Sequence, residues 1–202
     1  ESSAGVDGYA SVEVDPGLDA VEPAAQSAEI AELGWLMIAL PESAGGLGGD
    51  AYDAAIIAEE MGRGLVPLPF VEVAVTAAQV LLALAPDRVA AIASGAAMPL
   101  LAHDEPGARG DIGFVETRAE KADDAWQLTG HKTGVIGGTL ADTFFVSART
   151  PDGAIGLFEI AATEAPLLAF TAIDDRLAGE LRLDETPAKR ISSGDALPAI
   201  TA

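Results

Sequence analysis

A glycine-rich segment is the first part of the sequence whose residue types and spacing could do chemistry. Residues 46–51 read GLGGDA, which fits the loose dinucleotide-binding pattern GxGxxA, and Glu72 stands about 20 residues further on, where such a fold places its acid. In that fold the first glycine directly follows a strand, so that the phosphates meet a helix N-terminus. Here Pro41, Glu42 and Ser43 intervene, and Glu72 opens a helical pattern. The segment is therefore interpreted as a turn before a helix rather than an NAD site.

The remaining titratable and nucleophilic side chains offer little catalytic chemistry by themselves. The two histidines, His103 and His131, are too few for a metal site of known spacing, and the sequence has no cysteine, which excludes thiol catalysis and disulfides. Glu105 precedes a Pro-Gly pair, which favours a turn-setting role over that of a base. Ser147 has no histidine or acid at a spacing typical of a nucleophile. We therefore predict no metal site and no catalytic residue in this chain.

The charge balance limits what the chain can bind. Acidic residues number 32 against 11 basic ones, a formal charge of −21, which repels nucleic acid and anionic membrane surfaces because both are bound through Lys and Arg. An anionic cofactor needs local cations, and Arg109, Arg118 and Lys132 are the candidates. The most apolar stretch, 73–85, is shorter than the ~20 residues of a membrane helix. We predict no membrane span and no secretory signal, and we expect a cytoplasmic protein.

These residues must be positioned by two kinds of structure. Hydrophobic spacing of 3.6 residues predicts an all-α N-terminal domain over 1–97, of which 1–20 are expected to be loosely ordered. A first helix is predicted from Pro23 to Leu33, ending at Gly34. Further helices are predicted from the cap Asp50 to Gly62, over 73–84, and from Pro86 to near Gly95.

Beyond Pro99 the pattern changes to short β-branched and aromatic runs separated by turn residues, which is typical of an antiparallel β domain. The clearest element is a hairpin, in which residues 143–149 and 154–160 flank Pro151-Asp152-Gly153. The predicted fold class is α+β, with the helical domain followed by an antiparallel β-sandwich or barrel over 98–186. Residues 187–202 are predicted to be a linker, because proline, serine and glycine recur there.

Four matches, the last made of two segments, resemble the acyl-CoA dehydrogenase family at matching spacing. They are residues 32–49 (ELGW…PESAGGLGG), 58–70 (AEEMGRGLVPLPF), 103–111 (HDEPGARGD, similar to the family's flavin loop TEPGAGSD), and the pair 126–132 and 141–149. The resemblance implies the first two domains of the family's three. The C-terminal helical domain, which in the family most often supplies the catalytic base, is expected to be absent from this chain, so the base is not predicted here.

The resemblance implies an oxidoreductase of lipid metabolism and fatty acid β-oxidation, a flavoprotein that uses FAD to dehydrogenate an acyl-CoA thioester between its α and β carbons. It also implies a tetramer. Carried over position by position, it assigns FAD binding to Leu101, His103, Asp104, Arg109, Gly110, Gly134, Val135 and Ile136, and contact with the acyl-CoA substrate to Gly110 as well.

Several of these positions depart from the family's pattern where side chains touch the flavin. Asp104 replaces a threonine donor with a carboxylate that only accepts, and Gly134 and Ile136 replace an aromatic and a hydroxyl residue. The following Gly137 and Gly138 are expected to loosen the turn. Because the losses cluster at the flavin, the favoured interpretation is a subunit of a heteromeric enzyme with a paralogous partner, possessing or lacking its own flavin. The alternative is a divergent homotetramer that holds flavin through its backbone.

Overall fold

The computed structural model describes residues 29–123 and 125–202, so the expectation of a loosely ordered start lies outside the described residues. The first described turn is helical and is followed by Gly34 in the left-handed conformation (φ 76°), as expected just past a helix end. Two 3₁₀ turns, Trp35–Met37 and Glu42–Ala44, lead into the glycine-rich segment. That segment is a turn before a helix, as its sequence predicts.

Helix α1 spans Ala51–Arg63 and begins with a capping box. The Asp50 carboxylate accepts hydrogen bonds from the backbone N–H groups of Tyr52 (2.7 Å) and Asp53 (3.2 Å), and the Asp53 carboxylate accepts from the backbone N–H of Asp50 (3.0 Å). These bonds satisfy donors that a helix start leaves without partners. They explain why the helix begins directly after Asp50, as predicted.

The next helical segment carries one wall of the candidate site. A π-helical stretch, Val71–Ala77, continues into helix α2, Ala78–Leu84, and a 3₁₀ turn at Pro86–Arg88 leads to helix α3, Val89–Ala93. The apolar face of this segment is buried against the sheet through Val73, Ala74, Ala77, Ala78, Val80 and Leu81. The wider π-helical turn lies beside the cavity described below, a common place for such irregularities.

Seven strands form one sheet. They are β1 (Pro99–Ala102), β2 (Arg118–Ala122), β3 (Ala125–Ile136), β4 (Thr143–Arg149), β5 (Ile155–Ala161), β6 (Leu167–Thr171) and β7 (Leu177–Arg190). Their order is β1-β4-β2-β3-β7-β5, with β6 on β7, and a further β4–β5 pairing closes the path into a barrel. The predicted fold class, helices followed by a β domain, is thereby confirmed.

The pairings agree with the predicted hairpin and add one feature that the sequence did not indicate. Strands β4 and β5 are antiparallel in register from Thr143↔Ala161 to Arg149↔Ile155, as predicted. However, β1 and β2 both pair with β4 in parallel. The long connection between residues 102 and 143 lets the chain return in the same direction, which a two-residue turn does not permit.

The last strand runs past the predicted start of the linker at residue 187. β7 continues to Arg190, and its last residues pair with β5 through Phe158↔Arg190 and Glu159↔Lys189. The Arg190 guanidinium lies 5.4 Å from the centre of the Trp126 ring, a cation–π contact that favours the extended strand. The prediction was wrong because it weighed local composition alone. A short helix, α4 (Leu197–Thr201), ends the described chain.

Candidate functional site

A cavity of about 300 Å³ lies between the helical segment and the ends of β1 and β3. Six of the eight residues predicted to bind a cofactor line it, although they come from two segments about 30 residues apart. They are Leu101, His103, Asp104, Gly134, Val135 and Ile136. The rest of the lining consists of Glu72, Thr76, Leu100, Ile112, Thr133 and Ile200. The candidate site is therefore a largely apolar slot with acidic groups at its edge.

Below the cavity, Lys132 forms a buried ionic cluster. Its Nζ donates to Glu105 Oε1 (2.7 Å), to the His103 carbonyl oxygen (2.9 Å) and to Ser147 Oγ (3.0 Å). Its side chain is 0% exposed and that of Glu105 is 4% exposed. All three ammonium donors are therefore used inside the protein. The expectation that Lys132 provides a cation for an anionic cofactor is wrong.

Both members of this pair are charged at neutral pH. Burial lowers the pKa of Lys132 to about 8, against the hydrogen bond and charge of Glu105, which raise it. Burial raises the pKa of Glu105, but the Lys132 ammonium and the backbone N–H of Glu116 outweigh it and leave that pKa below its usual value. The Glu105 carboxylate also accepts from the backbone N–H groups of Glu116 (2.7 Å) and Thr117 (3.0 Å). It thus fixes the loop, which extends its predicted turn-setting role.

His103 fastens the same loop to strand β4. Its Nε2 lies 2.8 Å from the carbonyl oxygen of Ile112, which only accepts, so Nε2 carries the proton. Its Nδ1 then accepts from the Ser147 hydroxyl at 2.8 Å. Burial, together with the charge of Lys132, lowers the pKa of His103 despite the bond to Ile112 and the charges of Asp104 and Glu105. The imidazole is therefore neutral at pH 7 and positions the loop, with neither nitrogen free to act as a base.

The β3 end of the cavity is open at Gly134, where the family resemblance predicts a residue facing the flavin. A bulge interrupts the pairing of β3 with β7 between Lys132 and Val135, and Gly134 takes a left-handed conformation (φ 64°). A Cβ added to Gly134 would meet no atom within 4 Å. The exposed Asp104 is tied to this end by the backbone, since the N–H of Thr133 donates to its carbonyl oxygen (2.9 Å).

Arg109 and Gly110 do not line the cavity. Both are exposed at the tip of the loop and take left-handed conformations, with φ of 50° and 87°. Arg118, the other predicted cation, is exposed at the start of β2, away from the cavity lining. None of the three cations proposed from the sequence therefore faces the cavity. Among the described residues, no group of three or more histidine and acidic side chains could hold a metal ion.

Two residues on the helical wall were missed as site residues. Glu72 and Thr76 are four apart and so lie on one face of the helical segment, where both line the cavity. Helical spacing was the signal that could have identified them together. Glu72 also forms an ion pair with Arg176 across the molecule (3.0 Å), and Arg176 binds Asp174 on its other side (2.7 Å).

The helical segment approaches the sheet closely at Gly137. A Cβ on this residue would lie 2.5 Å from Cγ of Pro69, and its φ is 78°. Gly137 and Gly138 are both buried. The expectation that they loosen the turn is wrong, because Gly137 allows the proline elbow to pack directly on the end of β3.

The family of acyl-CoA dehydrogenase N-terminal domains matches residues 4–89. The long-chain specific acyl-CoA dehydrogenase of pig (Sus scrofa) mitochondria is 31% identical over 142 residues, covering 62% of this chain and 32% of that enzyme. No helix of the described residues has the length and apolar character to cross a membrane.

Solved structures share the fold over most of the chain. A variant of the Tcur3481-Tcur3483 steroid ACAD is 31% identical with a TM-score of 0.74, covering 88% of this chain and 50% of that one. The ChsE4-ChsE5 complex from Mycobacterium tuberculosis is 26% identical with a TM-score of 0.72, covering 87% of this chain and 50% of that one. The chain thus spans about half the length of these structures and a smaller share of the pig enzyme. The chain is therefore similar to acyl-CoA dehydrogenases in both sequence and fold.

Proposed function

We propose that the cavity is the place where this chain contributes to an acyl-CoA dehydrogenase active site, in which FAD oxidises an acyl-CoA thioester at its α and β carbons. The observation that carries the proposal is the convergence of six predicted cofactor-binding residues on one slot. Removal of the weakly acidic α-proton requires a carboxylate base. We assign that base to a segment or subunit outside the described residues, as the family resemblance implies. Glu105 is already paired with Lys132.

The residues that line the cavity fit the flat, largely apolar face of the flavin ring better than they fit the polar edge of that ring. Val135 and Ile136 offer apolar contact, and the open space at Gly134 leaves room above the strand end. When bound, FAD would supply the hydride acceptor. Asp104 would oppose it, since an ionised carboxylate cannot donate a hydrogen bond to the ring. Arg109 and Gly110 are proposed to reach the cofactor's diphosphate and the substrate from the loop tip.

Absorbance and fluorescence of the purified 202-residue chain test the flavin proposal. Bound FAD after reconstitution supports a flavin-binding subunit. Replacing Asp104 with Thr removes a repelling carboxylate and restores a hydroxyl donor worth ~0.5–1.5 kcal/mol, so we expect FAD affinity to rise up to about tenfold. Asp104→Asn is the matched control that removes the charge alone. An affinity unchanged in both variants would contradict the placement of the flavin ring beside Asp104.

The second candidate function is a structural subunit without its own flavin that completes a partner's active site. Two observations favour it: Asp104 presents only acceptors, and no proposed cation faces the cavity. The ChsE4-ChsE5 structure is a complex of two named components, which supports assembly with a paralogous subunit, and we propose that this assembly is a hetero-tetramer. The charge of −21 adds to this, because identical chains repel one another. Failure to bind FAD alone, with flavin recovered on adding the partner, would favour this candidate.

Turnover tests the assignment of the base. We expect the 202-residue chain alone to show no dehydrogenation of any acyl-CoA in the presence of an electron acceptor, and activity to require the complementary chain. Turnover proportional to the concentration of this chain would contradict that assignment. A cytoplasmic location and a role in fatty acid β-oxidation remain part of the proposal.

A further inference from the structure

A second cavity lies behind the helical wall of the first. It measures about 430 Å³ and is bordered by the end of α1, the proline elbow and the turn between β6 and β7. Its floor is apolar and closely packed, since Met61, Leu68 and Phe70 are each no more than 5% exposed. Leu65 stands at its rim, 86% exposed. A cavity of this size with an apolar floor is suited to an apolar ligand.

Glu72 is the residue that the two cavities share. Its carboxylate accepts from Arg176 Nη1 at 3.0 Å, and the two side chains are 27% and 41% exposed. This ion pair therefore stands at the boundary between the cavities. Asp174 holds Arg176 independently through Nε at 2.7 Å, so the guanidinium keeps a partner if Glu72 moves.

We propose that the second cavity receives the distal end of an elongated apolar acyl group whose thioester end lies in the first cavity, with Glu72 swinging away from Arg176 to let the chain pass. The inference rests on the proposed function. It identifies the substrate class as long or extended acyl thioesters rather than short ones.

Burying part of an acyl chain in the second cavity stabilises the complex by more than breaking the Glu72–Arg176 ion pair costs. A partly exposed ion pair is worth at most about a fivefold change in an equilibrium constant. Each methylene group buried against apolar surface is worth about fourfold. Two buried methylenes thus outweigh the loss of the pair, and the displaced Glu72 carboxylate is already partly exposed and keeps access to water. The ion pair is therefore a weak barrier between the cavities. A long acyl chain gains more binding free energy by extending past it than by folding back.

Gly62 provides a way to close the second cavity alone. It borders that cavity on α1, and a Cβ added there would meet no atom within 4 Å. Gly62→Phe therefore places a ring in the open space, and Gly62→Ala is the matched control with the same change in backbone freedom. Gly62→Leu is a smaller plug, should the phenylalanine variant unfold on heating before the control.

Calorimetric binding of neutral S-acyl-N-acetylcysteamine thioesters to the full chain tests the proposal, because these probes lack the phosphates that the acidic chain repels. With Gly62→Ala, affinity is expected to keep rising from butanoyl through octanoyl to hexadecanoyl. With Gly62→Phe the rise should stop, leaving hexadecanoyl binding weaker by about tenfold or more, the equivalent of two buried methylenes, while butanoyl binding is unchanged. Identical length profiles in both variants would overturn the inference and leave the proposed function standing. Absence of binding at every length would overturn the proposed function itself.

Discussion

One ion pair lies beneath the first cavity and another lies at its helical wall, and they differ in almost every physical respect. Lys132–Glu105, on the sheet side, is buried, and every ammonium proton has an acceptor. Glu72–Arg176, on the helical side, is half exposed and joins residues 104 apart in sequence. A buried pair is strongly destabilising to break, whereas an exposed pair contributes little. The cavity therefore has one fixed wall and one wall that can rearrange cheaply.

Breaking the buried pair should have the largest effect. Lys132→Met leaves the Glu105 carboxylate buried without its cation, which we expect to lower the free energy of unfolding by ~3–5 kcal/mol. Urea denaturation followed by circular dichroism measures this. The double variant Lys132→Met/Glu105→Gln removes both charges and should recover most of the loss. Equal stability of the single and double variants would show that the charge pairing is not what fixes this wall.

Disturbing the contact between Gly137 and Pro69, where the helical side meets the sheet side, should have the second largest effect on stability. Gly137→Ala forces a side chain into a left-handed conformation and against Pro69, at an expected loss of ~1–3 kcal/mol or more of unfolding free energy. Gly134→Ala imposes the same kind of conformation with no atom nearby, so the difference between the variants isolates the contact with Pro69. If thermal denaturation gives the same loss for both, the close approach of the elbow contributes nothing.

The pH dependence of stability tests the fixed wall in a third way. The pKa of His103 is lowered from 6.5 in the folded chain, so below about pH 6.5 the unfolded chain binds more protons and stability falls as the pH drops. The slope contributed by one proton is at most ~1.4 kcal/mol per pH unit. His103→Gln should flatten the profile of unfolding free energy below about pH 6.5. A steep profile retained without His103 would assign the effect to other groups.

Breaking the partly exposed Glu72–Arg176 ion pair should have the smallest effect on stability. Glu72→Gln keeps the shape of the side chain and removes its charge, and we expect a loss of no more than ~1 kcal/mol of unfolding free energy, decreasing further in high salt. Chemical denaturation at low and high salt measures it. A loss comparable to that of Lys132→Met would remove the contrast between the two walls.

The family resemblance predicted that the loop at residues 103–111 and the end of β3 are neighbours. The structure places His103 and Asp104 of that loop beside the end of β3 at one cavity, whereas Arg109 and Gly110 lie outside its lining. The roles of Lys132 and Gly137 were missed for a common reason. Each depends on what lies opposite in space, the Glu105 carboxylate in one case and Pro69 in the other, and periodicity reports only which face a residue occupies.

In the fold, too, features set by adjacent residues were predicted, and features set by partners distant in sequence were missed. The Asp50 cap and the β4–β5 hairpin are specified by a few adjacent residues, and both were predicted. The extension of β7 to Arg190 and the parallel pairing of β1 with β4 depend on partners far away in sequence. Local composition at residues 187–190 favours a linker, and the pairing of these residues with β3 and β5, together with the contact of Arg190 with Trp126, reverses it.

The closure of the barrel has a consequence for how the molecule opens. Strands β2 and β4 are joined at one register pair, Arg118↔Arg149, and β5 and β7 at two, whereas β4 and β5 share seven. Regions with few cooperative contacts open with a lower free energy than the whole domain. Backbone amides at these two junctions should therefore exchange with deuterated solvent sooner than those of β4 and β5. A molecule opened at both junctions would keep the β4–β5 hairpin, and solvent could briefly reach the interior of the barrel from two sides.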